Sequence, residues 1–248
     1  MKLLLTSSGI SNSSINAALV ELLGKPVAES NALFIPTAIY PFAQGPYYAM
    51  RAVAGDMSSK LCQLGWRTLG LLELTALPSI GKDVWLQAVQ EADALLAWGG
   101  DPVYLSYWLQ HSGLTELLPS LLEKMVYVGV SAGSMAVSDI FGEAYTNPRN
   151  GSGEALKTEI IKFDTPQGNI ESTFIMAHGA GLVDFAIIPH LDNKNHPDAS
   201  APNAEKWAAM IPVPVYAIDD QTAIKVNGDV VEVVSEGHWK LFNDTKIK

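Results

Sequence analysis

Short apolar runs that stop at a small or polar residue alternate along most of this chain with longer segments whose apolar positions recur every three or four residues. Residues 2–5, 32–35, 67–71, 94–98, 126–130 and 186–188 are runs of the first kind. Continuous apolarity over so short a stretch predicts a strand covered on both faces, as in a parallel sheet. Segments 14–23, 50–64, 83–91, 103–109, 114–124 and 204–210 carry the helical spacing. Alternation of the two patterns predicts βα units in three layers: a mainly parallel sheet with helices on both faces.

Toward the C-terminus the pattern changes. Runs 215–218, 222–226, 230–234 and 240–242 gather around Asn227-Gly228, a dipeptide suited to a tight hairpin turn, and predict antiparallel pairing. Segment 145–171 is rich in Gly, Asn, Pro and Thr with weak periodicity, and is expected to be a long surface excursion beside the sheet. Tyr40, Phe42, Tyr47 and Tyr48 among prolines and a glycine predict either a lid or oligomer contact, or a loop tucked on the core. No repeat or linker divides the chain, so residues 1–248 are expected to form one α/β hydrolytic domain.

Composition narrows the partners. A net charge of -10, with 16 Lys and Arg among 248 residues and none of them in runs, excludes a sequence-independent nucleic-acid binder, which needs clustered cations against phosphate. No apolar stretch approaches the roughly eighteen residues that span a bilayer, so no membrane partner is expected. Cys62 is the single cysteine and no secretory pattern opens the chain; a cytoplasmic location is the expectation.

The chemistry concentrates where predicted strands end. After 126–130 comes Gly129-Val130-Ser131-Ala132-Gly133, a serine on a strand-to-helix turn flanked by glycines that let the chain bend sharply. Such a turn projects a hydroxyl into the cleft, and the Ala132 amide near the helix start can donate to an oxyanion. Read otherwise, Ser131 is a helix N-cap. A second strand runs into Trp98-Gly99-Gly100-Asp101-Pro102, whose amides can complete an oxyanion hole; Asp101 with Pro102 also suits a helix start.

A serine hydroxyl needs a base. Of His111, His178, His190, His196 and His238, only His190 directly follows a buried run, 185–189. The orienting acid is expected at Asp220, at the end of run 215–218, with Asp192 as a rival. The order Ser, His, Asp differs from that of the α/β-hydrolases.

These residues, with Leu3-Leu4-Leu5-Thr6-Ser7-Ser8-Gly9, Phe34-Ile35-Pro36-Thr37-Ala38, Gly181-Leu182-Val183 and Ile218-Asp219-Asp220-Gln221-Thr222-Ala223, resemble the peptidase E and cyanophycinase family of serine peptidases. The resemblance implies a flavodoxin-like fold similar to class I glutamine amidotransferases. It also implies Ser131 as nucleophile, His190 as base, Asp220 as acid, and oxyanion donors from Gly100 or Asp101 and from Ala132. Relatives that read an N-terminal aspartate carry an arginine after the catalytic histidine. Here that stretch is Ala201-Pro202-Asn203-Ala204-Glu205-Lys206-Trp207, so Asn203 and Lys206 become the expected substrate contacts, and lysine lacks arginine's bidentate fork. An aspartate that some members carry after the nucleophile is replaced here by Asn147-Pro148.

The expected activity is hydrolysis of a small peptide, a dipeptide or isopeptide including N-terminal Asp-X, without a cofactor or metal; a homodimer is compatible with it. Two alternatives stand beside it: a metal-dependent hydrolase using His190, Asp192 and His196, and a non-catalytic small-molecule sensor or scaffold on the same fold.

Overall fold

The computed structural model describes residues 1–57, 61–147 and 155–244. From the N-terminus the chain forms β1 (Lys2–Thr6), α1 (Ser13–Leu23), β2 (Asn31–Ile35), α2 (Gly45–Ala54), β3 (Thr68–Leu71), α3 (Lys82–Gln90) and β4 (Ala94–Ala97). Then come α4 (Pro102–His111), the single turn α5 (Leu118–Leu121), β5 (Val126–Val130) and the short α6 (Ala132–Met135). The remainder comprises β6 (Ile140–Tyr145), β7 (Lys157–Thr165), β8 (Gly168–His178), β9 (Ala186–Ile188), α7 (Ala201–Ala208), β10 (Val215–Ile218), β11 (Thr222–Asn227), β12 (Val230–Ser235) and β13 (Trp239–Phe242).

Seven strands make the central sheet in the order β12-β11-β1-β5-β4-β2-β3, parallel from β1 to β3 and antiparallel at β11 and β12. The three-layer expectation holds, and the core shows why. On β1, Leu3 and Leu5 join one apolar cluster while Leu4 joins the other. On β5, Tyr127 faces the first cluster and Val126, Val128 and Val130 face the second. Period-two side chains on a strand apolar at every position demand cover on both faces. Helix α1 covers one face with Ile15, Ala18, Leu19 and Leu22; α3 and α4 cover the other with Trp85, Val89, Leu105 and Leu109. The C-terminal hairpin forms as the Asn227-Gly228 signal predicts, with Gly228 at φ 61° and Asn227 opposite Val230.

Other expectations need correction. Ala186–Ile188 is a strand, but it lies in a separate sheet, β13-β10-β9, in which β9 and β10 are parallel. The helix expected over 50–64 begins at Gly45 and stops at Ala54, where Gly55 adopts a left-handed φ of 87° and closes the helix; positions 58–60 of that expectation lie outside the described residues. Over 114–124 only one turn is helical.

The surface excursion expected over 145–171 is overturned most clearly. Its described part contains β7 and the start of β8, which pair antiparallel in a three-stranded sheet with β6; residues 148–154 lie outside the described residues. Ile161 and Phe163 are buried at alternate positions, with Lys162 and Asp164 facing out beside them. The strands pack through Phe163 and Phe174 onto Trp207 of α7, at ring separations of 5.9 and 6.3 Å.

Candidate active site

Parallel strands bring their C-terminal ends to one edge of a sheet, and the site forms there. Strands β1, β5 and β4 are neighbours, so Ser7, Ser131 and Gly99-Gly100 follow adjacent strands. Ser131 has φ 50° and ψ -112°, a conformation side chains rarely adopt, which indicates local strain held by surrounding structure. Its amide donates to the Thr6 carbonyl at 3.0 Å, and the Ser134 hydroxyl donates to the same oxygen at 2.7 Å. Close packing of the turn explains Gly133: a Cβ there would stand 2.1 Å from the Ala97 carbonyl oxygen.

His190 arrives from the second sheet. It follows β9, and because β9 and β10 are parallel the loop after β10 ends beside it, carrying Asp220. The His190 Nε2 lies 3.0 Å from the Ser131 Oγ, and Nδ1 lies 2.8 Å from the Asp220 Oδ1. An ionised carboxylate only accepts, so Nδ1 carries the hydrogen and the Nε2 lone pair faces the serine hydroxyl. Burial works to raise the Asp220 carboxyl, but hydrogen bonds from His190 and Ser7, the charge of His190, and a hydrogen bond from Asn193 outweigh it and hold the group well below the usual carboxylate range. Asp192 is engaged elsewhere: it pairs with His238 Nε2 at 3.0 Å and accepts the Ala201 amide at 2.8 Å.

The two oxyanion candidates beside Gly99 separate. The Asp101 amide donates to the Ala38 carbonyl at 2.8 Å, so it is committed to the fold; its carboxylate caps α4 by accepting from Tyr104 N at 3.0 Å. Gly100 lines the same cavity as Ser131, and no described residue accepts from its amide. Its φ of 143° and the Ala38 oxygen 2.2 Å from any added Cβ restrict this position to glycine. Ala132 opens α6, where the amide has no intrahelical acceptor.

The cavity at Ser131 holds about 340 Å³ and is walled by Phe42, Tyr145, Trp207, His196, Glu143 and Asp198 among others. Phe42 thus places part of the expected aromatic loop at the site. Asn203 and Lys206 do not line it. Asn203 is fully buried and tied to the Asp164 and Pro197 main chain, while Lys206 pairs with Asp164 at 2.7 Å in an exposed ion pair. Both face β7, the strand absent from the sequence-based expectation.

The metal alternative fails on geometry. The rings of His190 and His196 stack face to face, centroids 4.1 Å apart and planes 12° from parallel, so one ion cannot lie in the plane of both rings as imidazole ligation requires. Among the described residues no cluster of three or more His, Cys, Asp or Glu is arranged to hold an ion. Three polar groups at the site had no place in the sequence-based expectation: Ser7, with its Oγ 2.6 Å from Asp220 Oδ1; Asn193, donating to Asp220 Oδ2 at 2.5 Å; and Tyr145, whose hydroxyl donates to Asp101 at 2.9 Å.

The architecture recurs in solved structures. A candidate peptidase E from Listeria monocytogenes EGD-e superimposes with a TM-score of 0.58 at 18% identity, over 95% of this chain and 98% of that one. A peptidase from an acI-B1 actinobacterium matches with a TM-score of 0.53 at 17% identity, over 98% and 87% of the two chains. At such identities the likeness concerns the fold. The chain belongs to peptidase family S51, whose profile matches residues 3–234. Comparison with curated proteins returns no match. No described helix is long and apolar enough to cross a membrane.

Proposed function

We propose that this protein is a serine peptidase of the peptidase E type that hydrolyses a small peptide through an acyl-enzyme. The observation that carries this reading is the continuous relay from Ser131 Oγ through His190 to Asp220, at 3.0 and 2.8 Å, set on a strained turn at the wall of a cavity. In the forward step His190 Nε2 takes the hydroxyl proton as Ser131 Oγ bonds to the substrate carbonyl carbon. The carbonyl oxygen becomes an oxyanion between the Ala132 and Gly100 amides. As the carbon–nitrogen bond breaks, the leaving amine receives the proton from His190, and water then attacks the ester with the same histidine as base. Asp220 stabilises the imidazolium and fixes which nitrogen is protonated.

A cavity of about 340 Å³ suits a dipeptide or isopeptide better than a folded protein. The test is a panel of Asp-X, β-aspartyl and other aminoacyl dipeptides assayed with wild type and Ser131→Ala, alongside fluorophosphonate labelling. Turnover and labelling that both vanish in Ser131→Ala, with folding intact, are the expected result. A rate unchanged in that variant overturns the assignment; a folded wild type that neither cleaves nor labels points instead to the sensor reading.

A further inference from the structure

The nucleophile and its base come from different sheets, and their separation must be set by whatever ties those sheets together at this edge. Ser131 belongs to the central sheet, where its amide is held by the Thr6 carbonyl. His190 follows β9 of the second sheet. Ser7, the residue after Thr6, is fully buried and touches both the base and its acid.

A hydroxyl has one hydrogen to donate and lone pairs to accept with. The Ser7 hydroxyl donates to Asp220 Oδ1 at 2.6 Å and accepts the His190 amide at 2.8 Å; its oxygen also lies 3.2 Å from His190 Nδ1. His190 has a φ of 61°, so the hydrogen bond to its amide fixes a backbone conformation that side chains rarely adopt. Meanwhile Asn193 occupies the other carboxylate oxygen. Both oxygens of Asp220 are thus engaged, one of them through Ser7 at the end of β1, and the His190 main chain is held by the same hydroxyl.

We infer that Ser7 is a positioning residue: its hydroxyl ties the His190–Asp220 pair to the sheet that carries Ser131, and so sets the ring plane and tautomer of the base. This inference rests on the proposed hydrolytic reading of Ser131 and His190. Ser7 itself touches no reacting atom.

The experiment compares wild type with Ser7→Ala and with Ser7→Cys, which leaves no cavity, being slightly larger than serine, but is a weak donor. Three readouts are taken: the kcat and KM split on whichever panel peptide is cleaved, the rate of Ser131 labelling by a fluorophosphonate, and the low-field proton resonance of His190 Nδ1, identified by its loss in His190→Gln. Losing a hydrogen bond to a charged group predicts a fall in kcat and in labelling rate of roughly ten- to hundredfold with KM little changed. The Nδ1 resonance should move or broaden in both variants, an effect that simple loss of packing at Ser7 would not produce in the cysteine variant. Labelling rate and resonance unchanged from an active wild type overturn the role of Ser7 alone. A wild type that neither cleaves nor labels overturns the hydrolytic reading and this inference with it.

Discussion

The imidazole of His196 lies flat on that of His190, 4.1 Å between centroids, so any charge on one ring is felt by the other. Burial first, and the neighbouring His190 second, hold His196 below its ordinary value of 6.5, against the opposing pull of Asp198 and Asp220. The sign follows from linkage. Below pH 6.5 the unfolded chain binds this proton more readily than the folded one, so folding stability falls as pH drops from 6.5 toward the depressed folded value. His196→Phe keeps a ring in the stack and removes the titration. Urea unfolding at pH 8, 6.5 and 5.5 should show a shallower acid-side loss in His196→Phe than in wild type. Parallel pH dependences in the two proteins would contradict the stacked, proton-excluding arrangement.

Asp220 carries the opposite sign. Its folded value lies below the ordinary 3.8, so the stability it contributes is present above that pH and is lost as pH falls below it, through the folded value. Asp220→Asn should flatten the stability profile below about pH 4. Its larger effect is on chemistry: an amide can present the wrong partner to Nδ1, and a loss in kcat on the order of 10³–10⁴-fold is expected, as when the triad acid of a serine protease is changed this way. Rate measurements near neutral pH and equilibrium unfolding at pH 3 to 6 check the two effects separately.

Gly133→Ala tests the turn that strains Ser131. The added Cβ would meet main-chain carbonyl atoms of Ala97, with its oxygen at 2.1 Å, and backbone in a central strand cannot retreat as a side chain tip can. A destabilisation of at least about 3 kcal/mol is expected, together with loss of labelling at Ser131. A stable, fully reactive Gly133→Ala would show that the turn is looser than its contacts indicate.

Much of this fold was legible because the deciding signals are local. Val126–Val130 is apolar at every position and stops at Gly-x-Ser-x-Gly, so the strand, its two-sided burial and the turn after it all follow from a dozen residues. Asp220 and His190 were legible as strand ends, although their meeting depends on the parallel pairing of β9 and β10 in a sheet of their own, a long-range fact no local pattern contains. The β7–β8 hairpin was hidden for a different reason. Its inward residues Ile161, Phe163 and Phe174 are few, its outward face mixes the apolar Ile160 with Lys162 and Asp164 so that the alternation is blurred, and the apolar cover comes from Trp207, distant in sequence. Ser7 illustrates the limit most sharply: a serine after a strand is ordinary until the fold places an acid and a histidine amide on its hydroxyl.

The same hidden hairpin decides what Asn203 and Lys206 do. With β7 alongside α7, the Asn203 side chain donates to the Asp164 and Pro197 carbonyls and accepts the Asp164 amide, three hydrogen bonds made by a residue with no exposed surface. Asn203→Ala leaves those main-chain groups without partners, and a loss of roughly 2–3 kcal/mol in stability is expected. Lys206 makes an exposed ion pair with Asp164, of the kind that contributes little in water. Lys206→Ala should therefore change stability by no more than about 0.5 kcal/mol and leave KM for any cleaved Asp-X dipeptide unaltered. Denaturant midpoints for both variants, with KM for Lys206→Ala, check the pair. A several-fold rise in KM for acidic dipeptides in Lys206→Ala would return this lysine to the substrate's side of α7, and would require that α7 and β7 separate when the site is filled.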